Sequence, residues 1–176
     1  MDDLLLDPLD VALLAQLQRD AHQTNQRLGD GLGLSASQVS RRVQRLEQLK
    51  LIRGYVALLD APALSLSVRS YTQVTMARHG GDEGRAFERE ILRFAEVLDC
   101  VAIAGEADYL CQIVAPSLAA LSDSVLKRLT RLPGVVSVRS SIVLNRIKAS
   151  TELPLDHLGQ AAAGPRRVRL VQRGAA

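Results

Sequence analysis

Arg41, Arg42 and Arg45 stand close together in the stretch 35–48, with Gln38 three residues before the first of them. Guanidinium groups pair with phosphate oxygens and, bidentately, with guanine edges, and glutamine amides pair with adenine. On a helix, positions 38, 41, 42 and 45 fall at i, i+3, i+4 and i+7 and share a face. Residues 35–54 carry five basic side chains (Arg41, Arg42, Arg45, Lys50, Arg53) against one acidic, Glu47, a local charge of +4, whereas residues 1–60 carry seven basic and eight acidic. The positive charge is therefore gathered on one helix and the turn after it. That is the footprint of a backbone-binding module on a chain whose net charge is only +3. A solvated helix face can carry the same charges, so the reading depends on how this helix is presented.

Little else in the chain could do chemistry. The three histidines, His22, His79 and His157, show no convergent spacing, and no acid/base or nucleophile pair stands out. The two cysteines, Cys100 and Cys111, make neither a disulfide framework nor a zinc site. If a hairpin pairs Ala104 with Tyr109, Cys111 lies opposite Ala102 and Cys100 opposite Ile113, with both sulfurs on one face along a diagonal; they read as small buried hydrophobes. No catalytic residue, metal site or cofactor is expected. The chain has no apolar run long enough to span a bilayer, and its start, MDDLLLDPLD, lacks the basic region of a secretory signal. A cytoplasmic protein with no membrane partner is expected. With 47% hydrophobic residues, no Trp, three Tyr and two Phe in 176 residues, its cores are aliphatic.

The elements around the arginines suit a helix-turn-helix. Ser35 and Gln38 form the pattern of a capping box, and Leu34 and Val39 that of a hydrophobic staple, at the start of a helix running to about Gln48. Val39, Val43 and Leu46 make its apolar stripe. Asp7-Pro8 opens a first helix carrying Leu9, Leu13, Leu14 and Leu17. A second starts near Thr24 or Asn25 and carries Leu28 and Leu32, with Gly29 and Gly31 as a weakness, since each costs about 0.5–1 kcal/mol against Ala in a helix interior. Residues 51–58 read as a short two-stranded wing bending at Arg53-Gly54. Boundaries follow: a winged helix-turn-helix over 1–58, a linker over 59–69, a second domain over 70–155 and a basic, flexible tail over 156–176.

The second domain has a βαββαβ rhythm. Strands are expected over 70–77, 97–104, 109–115 and 135–144, with helices over about 83–95 and after Pro116-Ser117. This is the ferredoxin-like arrangement, an antiparallel sheet with both helices on one face, so the fold class is α+β. Apolar residues remaining on the helix-free face point to contact with another subunit.

The strings LDPLDVALLAQLQRDAHQTNQRL, GLSASQVSRRVQRLEQLKLIRGYVALLD, AGEADYL, RLPGVVSVRSSIVL and IKASTELPL occur in this order. From about Leu9 to Leu155 the chain resembles the leucine-responsive/asparagine-regulator (Lrp/AsnC) family of transcription factors. The resemblance implies pairing through the ferredoxin-like sheets into dimers, with tetramers or octamers beyond them. It implies recognition helices presented to pseudo-palindromic double-stranded DNA, and a small effector, usually an amino acid, bound between ferredoxin-like domains. Ser37, Gln38, Ser40, Arg41, Arg42, Arg45 and Arg53 are the expected DNA-binding residues. Gly105, Glu106, Ala107, Asp108 and Tyr109 match the family's effector loop, and Leu118, Ser141 and Ile142 match positions associated with effector response. A carboxylate such as Asp108 could pair with an amino group, or could bond backbone amides as ordinary turn chemistry. Gly29, Gly31 and the tail from about Gln160, with Arg166, Arg167, Arg169 and Arg173, depart from the family core.

Two other readings remain open at this level. Siroheme-decarboxylase-like enzymes share the two-domain layout, which fold alone does not separate. An effector-independent architectural DNA-binding protein would carry the same helix.

Overall fold

A computed structural model describes residues 3–77, 81–159 and 166–169. The chain divides into two compact units, residues 1–57 with 148–176 and residues 58–147. The second unit thus takes in the whole stretch 59–69 read from sequence as a linker, and residues 148–155 fall with the first.

In the first unit, α1 (Pro8–Arg19) begins where the sequence places it. Asp7 caps it, accepting from the Asp10 amide, while the Asp10 carboxylate accepts from the Asp7 amide. Helix α2 (Asn25–Asp30) is capped by Thr24, and α3 (Ala36–Gln48) by Ser35. Leu13, Leu28, Val39 and Leu46 form a fully buried aliphatic core, joined by Leu6 and lined by Leu17, Leu34 and Val43. Gly29 is a requirement here rather than a weakness. A Cβ at this position would lie 2.2 Å from the carbonyl oxygen of Leu34, so α2 and the start of α3 approach as closely as they do because no side chain stands between them.

Helix α3 ends in a Schellman pattern. The Lys50 amide bonds the Glu47 carbonyl, the Leu51 amide bonds the Leu46 carbonyl, and Lys50 is left-handed at φ 58°. The expected wing does not form: among the described residues, no strand occurs over 51–58. The chain has already reversed at Lys50, and Val56 and Leu58 stand exposed with no facing strand. An isolated two-stranded ribbon is marginal without a face to bury. Strand pairing occurs elsewhere in the unit, where β1 (Asp3–Leu6) runs antiparallel to β6 (Arg166–Arg169), Asp3 opposite Arg169. The tail expected to be flexible therefore contributes a strand, because β1 has an unpaired backbone edge that it can satisfy; Arg173 and residues 160–165 lie outside the described residues. Before that strand, Leu153 exchanges two hydrogen bonds with the Gln18 side chain on α1, at 2.7 and 3.2 Å.

The second unit is the expected βαββαβ fold. Strands β2 (Val68–Met76), β3 (Val97–Ala102), β4 (Tyr109–Ala115) and β5 (Val135–Ile142) form one antiparallel sheet in the order β3-β4-β2-β5. Helix α4 (Gly81–Ile91) connects β2 to β3, and α5, residues 118–129 with a π-helical stretch at Leu121–Leu126, connects β4 to β5. The alternation along β2 puts Ser70, Thr72, Val74 and Met76 on the covered face. There Val74, Ile113 and Cys111 pack with Phe87, Val125 and Leu129 from the helices. The hairpin register differs from expectation. Ala102, not Ala104, lies opposite Tyr109, so the connection is residues 103–108 and Cys100 sits directly across from Cys111 rather than on a diagonal. The Ile103 amide closes this wider loop on the Asp108 carbonyl at 2.9 Å.

Candidate nucleic-acid interface and effector loop

Burial sorts the side chains of α3 into faces. Val39 and Leu46 are fully buried and Val43 is half-buried. On the other side Ser37, Arg41, Gln44 and Gln48, at i, i+4, i+7 and i+11, are all exposed. Gln44 escaped the sequence reading, which followed charge; its place seven residues after Ser37 and three after Arg41 was the available signal. Gln38 is committed to the cap: its Oε1 accepts from the Ser35 amide at 2.8 Å and the Ser35 hydroxyl at 2.9 Å. Ser40 is half-buried, and Arg53 is exposed on the extended stretch after the helix.

The three arginines are not equivalent. Arg41 is exposed and makes no hydrogen bond or ion pair among the described residues. Arg42 donates from one nitrogen to Asp7 at 2.6 Å and to Asp10 at 2.7 Å, and Arg45 donates to the other oxygen of Asp10. The Asp10 side chain is fully buried, while that of Arg42 keeps 25% of its surface and that of Arg45 46%. A carboxylate taken out of water must be paired and hydrogen-bonded, and Asp10 achieves this with two side chains of α3 and the Asp7 amide. Burial alone would raise the Asp7 carboxyl. The hydrogen bond from Arg42, the Asp10 amide and the guanidinium charge together outweigh it and hold Asp7 below the usual carboxylate range. The hydrogen bond to Asp7 correspondingly raises Arg42. The arginine face read from spacing is thus partly an internal ion-pair network.

In the second unit the loop Gly105–Tyr109 also divides. Gly105 and Glu106 are exposed, whereas Ala107 and Tyr109 are buried. Tyr109 stacks against Phe87 with ring centroids 4.6 Å apart, and its hydroxyl donates to Glu88 at 3.1 Å. Burial first, then that carboxylate, pushes the phenol up to about 12. Asp108 accepts the Met76 amide on its carboxylate at 2.7 Å and donates its own amide to the Val74 carbonyl at 3.0 Å. It pins the loop to the end of β2.

Leu118, Ser141 and Ile142 lie elsewhere. Ser141 pairs with Tyr71 and Ile142 with Ser70, toward the start of β2, and Leu118 begins α5 just beyond the β4 end that pairs with Val68. The loop adjoins the other end of β2, at Val74 and Met76. At about 3.4 Å per residue, the two sets are roughly 10–20 Å apart along the sheet. One chain does not bring them around a single small molecule.

Comparison with known proteins agrees with this architecture. The AsnC-type helix-turn-helix domain family matches residues 6–47 and the Lrp/AsnC ligand binding domain family matches residues 69–153. The chain is 33% identical over 150 residues to the leucine-responsive regulatory protein of Rhizobium meliloti, covering 85% of this chain and 96% of that one. It is equally identical, again over 150 residues, to the Bkd operon transcriptional regulator of Pseudomonas aeruginosa, covering 85% and 98%. Among solved structures, the transcriptional regulator NMB0573 of Neisseria meningitidis in complex with L-Met superposes with a TM-score of 0.83 at 37% identity, covering 87% and 99%. An AsnC family regulator from Agrobacterium tumefaciens gives 0.81 at 33% identity with the same coverage. Two family domains in the order the fold displays, and relatives matched over nearly their whole length, lead to one conclusion: this chain belongs to the Lrp/AsnC family of transcriptional regulators.

Proposed function

We propose that this regulator binds double-stranded DNA through the exposed face of α3 and that an amino acid modulates the binding. The observation that carries the first part is Arg41, an exposed cation with no partner of its own among the described residues, at the centre of a face otherwise made of Ser37, Gln44 and Gln48. Such a face can enter a major groove and offer hydrogen bonds to base edges. In this reading Arg41 and Gln44 approach the bases, with Ser37, Gln38 and Ser40 near the groove. Arg45 and Arg53 meet phosphates, and Arg42 serves by fixing α3 against α1. The protein works in the compartment that holds its DNA, the cytoplasm.

The L-Met complex of the Neisseria relative supports an amino acid as effector. Exposed Gly105 and Glu106 are the loop residues placed to meet it, with Asp108 holding the loop. The separation of this loop from Leu118, Ser141 and Ile142 favours a site completed by a second copy, and hence a dimer or larger assembly acting on a pseudo-palindromic operator. The test is selection of binding sites from random duplex DNA by the full chain, followed by a melting screen with the twenty amino acids. Enrichment of an inverted repeat and stabilisation by particular amino acids are expected, since a ligand of the folded state shifts melting by mass action. Binding without sequence enrichment would favour an architectural role, and no stabilisation by any amino acid would remove the effector.

A further inference from the structure

The two cysteines are the unused chemistry of the second unit. Cys100 and Cys111 face each other across β3 and β4 with their sulfurs 3.4 Å apart. Directly opposed residues in an antiparallel pair have Cα atoms about 4.5 or 5.5 Å apart, and disulfides span about 4.4–6.8 Å, so either spacing suits a bond. β3 is an edge strand of the sheet, paired among the described residues with β4 alone. Cys100 is half-buried and Cys111 fully buried, so a small oxidant meets Cys100 first.

We propose that Cys100 and Cys111 form a peroxide-oxidisable dithiol, and that their disulfide closes the base of the loop 103–108. In the first step the Cys100 thiolate attacks one oxygen of the peroxide. A sulfur–oxygen bond forms, the oxygen–oxygen bond breaks, the second oxygen leaves as water after taking a proton, and Cys100 becomes a sulfenic acid. In the second step the Cys111 sulfur attacks the Cys100 sulfur. The sulfur–sulfur bond forms, the sulfur–oxygen bond breaks, and the hydroxyl leaves as water with the Cys111 proton. Two thiols lose two electrons in all, and one peroxide is reduced to two waters.

The roles follow from the hydrogen bond between the sulfurs. Cys111 donates to Cys100, which lowers the Cys100 thiol; burial opposes this, as do the carboxylates of Asp99 and Glu88. Cys111, the donor and the deeper of the two, is raised. The attacking thiolate is therefore Cys100 and the resolving thiol Cys111. The loop spanned by the link holds Gly105 and Glu106, so oxidation would restrain the segment assigned above to the effector. The thiol chemistry itself does not depend on that assignment.

The full chain, reduced and then exposed to hydrogen peroxide, is alkylated with iodoacetamide under denaturing conditions and weighed by mass spectrometry. Both thiols should become unreactive together, the protein should remain a single chain on a non-reducing gel, and dithiothreitol should restore both. Amide exchange over 103–108 should slow in the oxidised protein. In Cys111→Ser, Cys100 should stop at a sulfenic acid that dimedone traps. Two thiols still alkylated after peroxide, a disulfide between chains, or Cys100 over-oxidised beside an intact Cys111 in the unaltered protein would each overturn the proposal. Unchanged exchange over 103–108 would overturn the restraint on the loop.

Discussion

Asp10 and Asp108 are both carboxylates that tie together parts of the chain distant in sequence, but they are satisfied in different ways. Asp10 is fully buried and held by the guanidinium groups of Arg42 and Arg45. Asp108 is half-buried and takes a backbone amide, that of Met76. The first draws on side chains that a spacing argument assigns to DNA, so the demands of a buried charge and of a binding surface compete on one helix. The second binds the end of β2 through the Met76 amide, beside the exposed Gly105 and Glu106. A charged face on a helix therefore needs its nearby counter-charges counted before it is assigned to a ligand. An acidic turn needs its amides counted.

The comparison breaks or holds most visibly at two adjacent residues. Arg42→Met would leave the buried Asp10 with Arg45 and one amide, and breaking a buried pair by removing one partner costs about 3–5 kcal/mol. Because Arg45 stays in place, a loss of about 3 kcal/mol is expected in urea unfolding of the full chain. Arg42→Met combined with Asp10→Leu should lose less than the two single changes summed. Additive losses would show that the network is not a unit. Arg41→Met should change stability by less than about 0.5 kcal/mol and weaken specific DNA binding about tenfold, with specificity relaxed at the base position it reads. If Arg41→Met left DNA affinity unchanged while Arg42→Met weakened it without unfolding, the roles assigned to the two residues would be reversed.

What sequence could and could not show follows the same division. The helix starts at Asp7-Pro8 and Thr24-Asn25, the cap at Ser35, the α3 boundaries and the βαββαβ order are local or periodic features, and the structure has them where expected. The Arg42–Asp10 pair joins residues on different helices, and no local pattern marks it. Gly29 looked like a weak helix residue because its reason, the carbonyl of Leu34, lies beyond the turn. The cysteine register failed by two residues on β3 because loop length sets which residues face each other, and a loop of small and acidic residues does not announce its length. β6 was missed because its partner strand is near the other end of the chain.

At the loop, the expected effect is smaller. Asp108→Ala leaves the Met76 amide without its acceptor, a loss of about 1–3 kcal/mol, whereas Asp108→Asn keeps an acceptor oxygen and should lose less. If Asp108 holds the loop rather than the effector, the asparagine variant keeps its melting shift with whichever amino acid stabilises the unaltered chain. Retained stability with an abolished shift would move Asp108 from the scaffold to the site.

The smallest effect concerns acid. The folded-state carboxyl of Asp7 lies below its ordinary value, with burial opposed and outweighed by Arg42, the Asp10 amide and the guanidinium charge. Its contribution is therefore fully present above the unfolded value near pH 4 and is lost as pH falls through the lower folded value. Melting temperature should accordingly drop as pH falls below about 4 for reasons that include this residue. Asn accepts a helix-capping hydrogen bond as Asp does, so Asp7→Asn separates charge from cap. The variant should melt lower than the unaltered chain at pH 7, and the two curves should converge as pH falls below about 4. Parallel curves over that range would place the acid sensitivity elsewhere and leave Asp7 as a cap alone, with Asp10 as the one carboxylate that holds α3 through its charge.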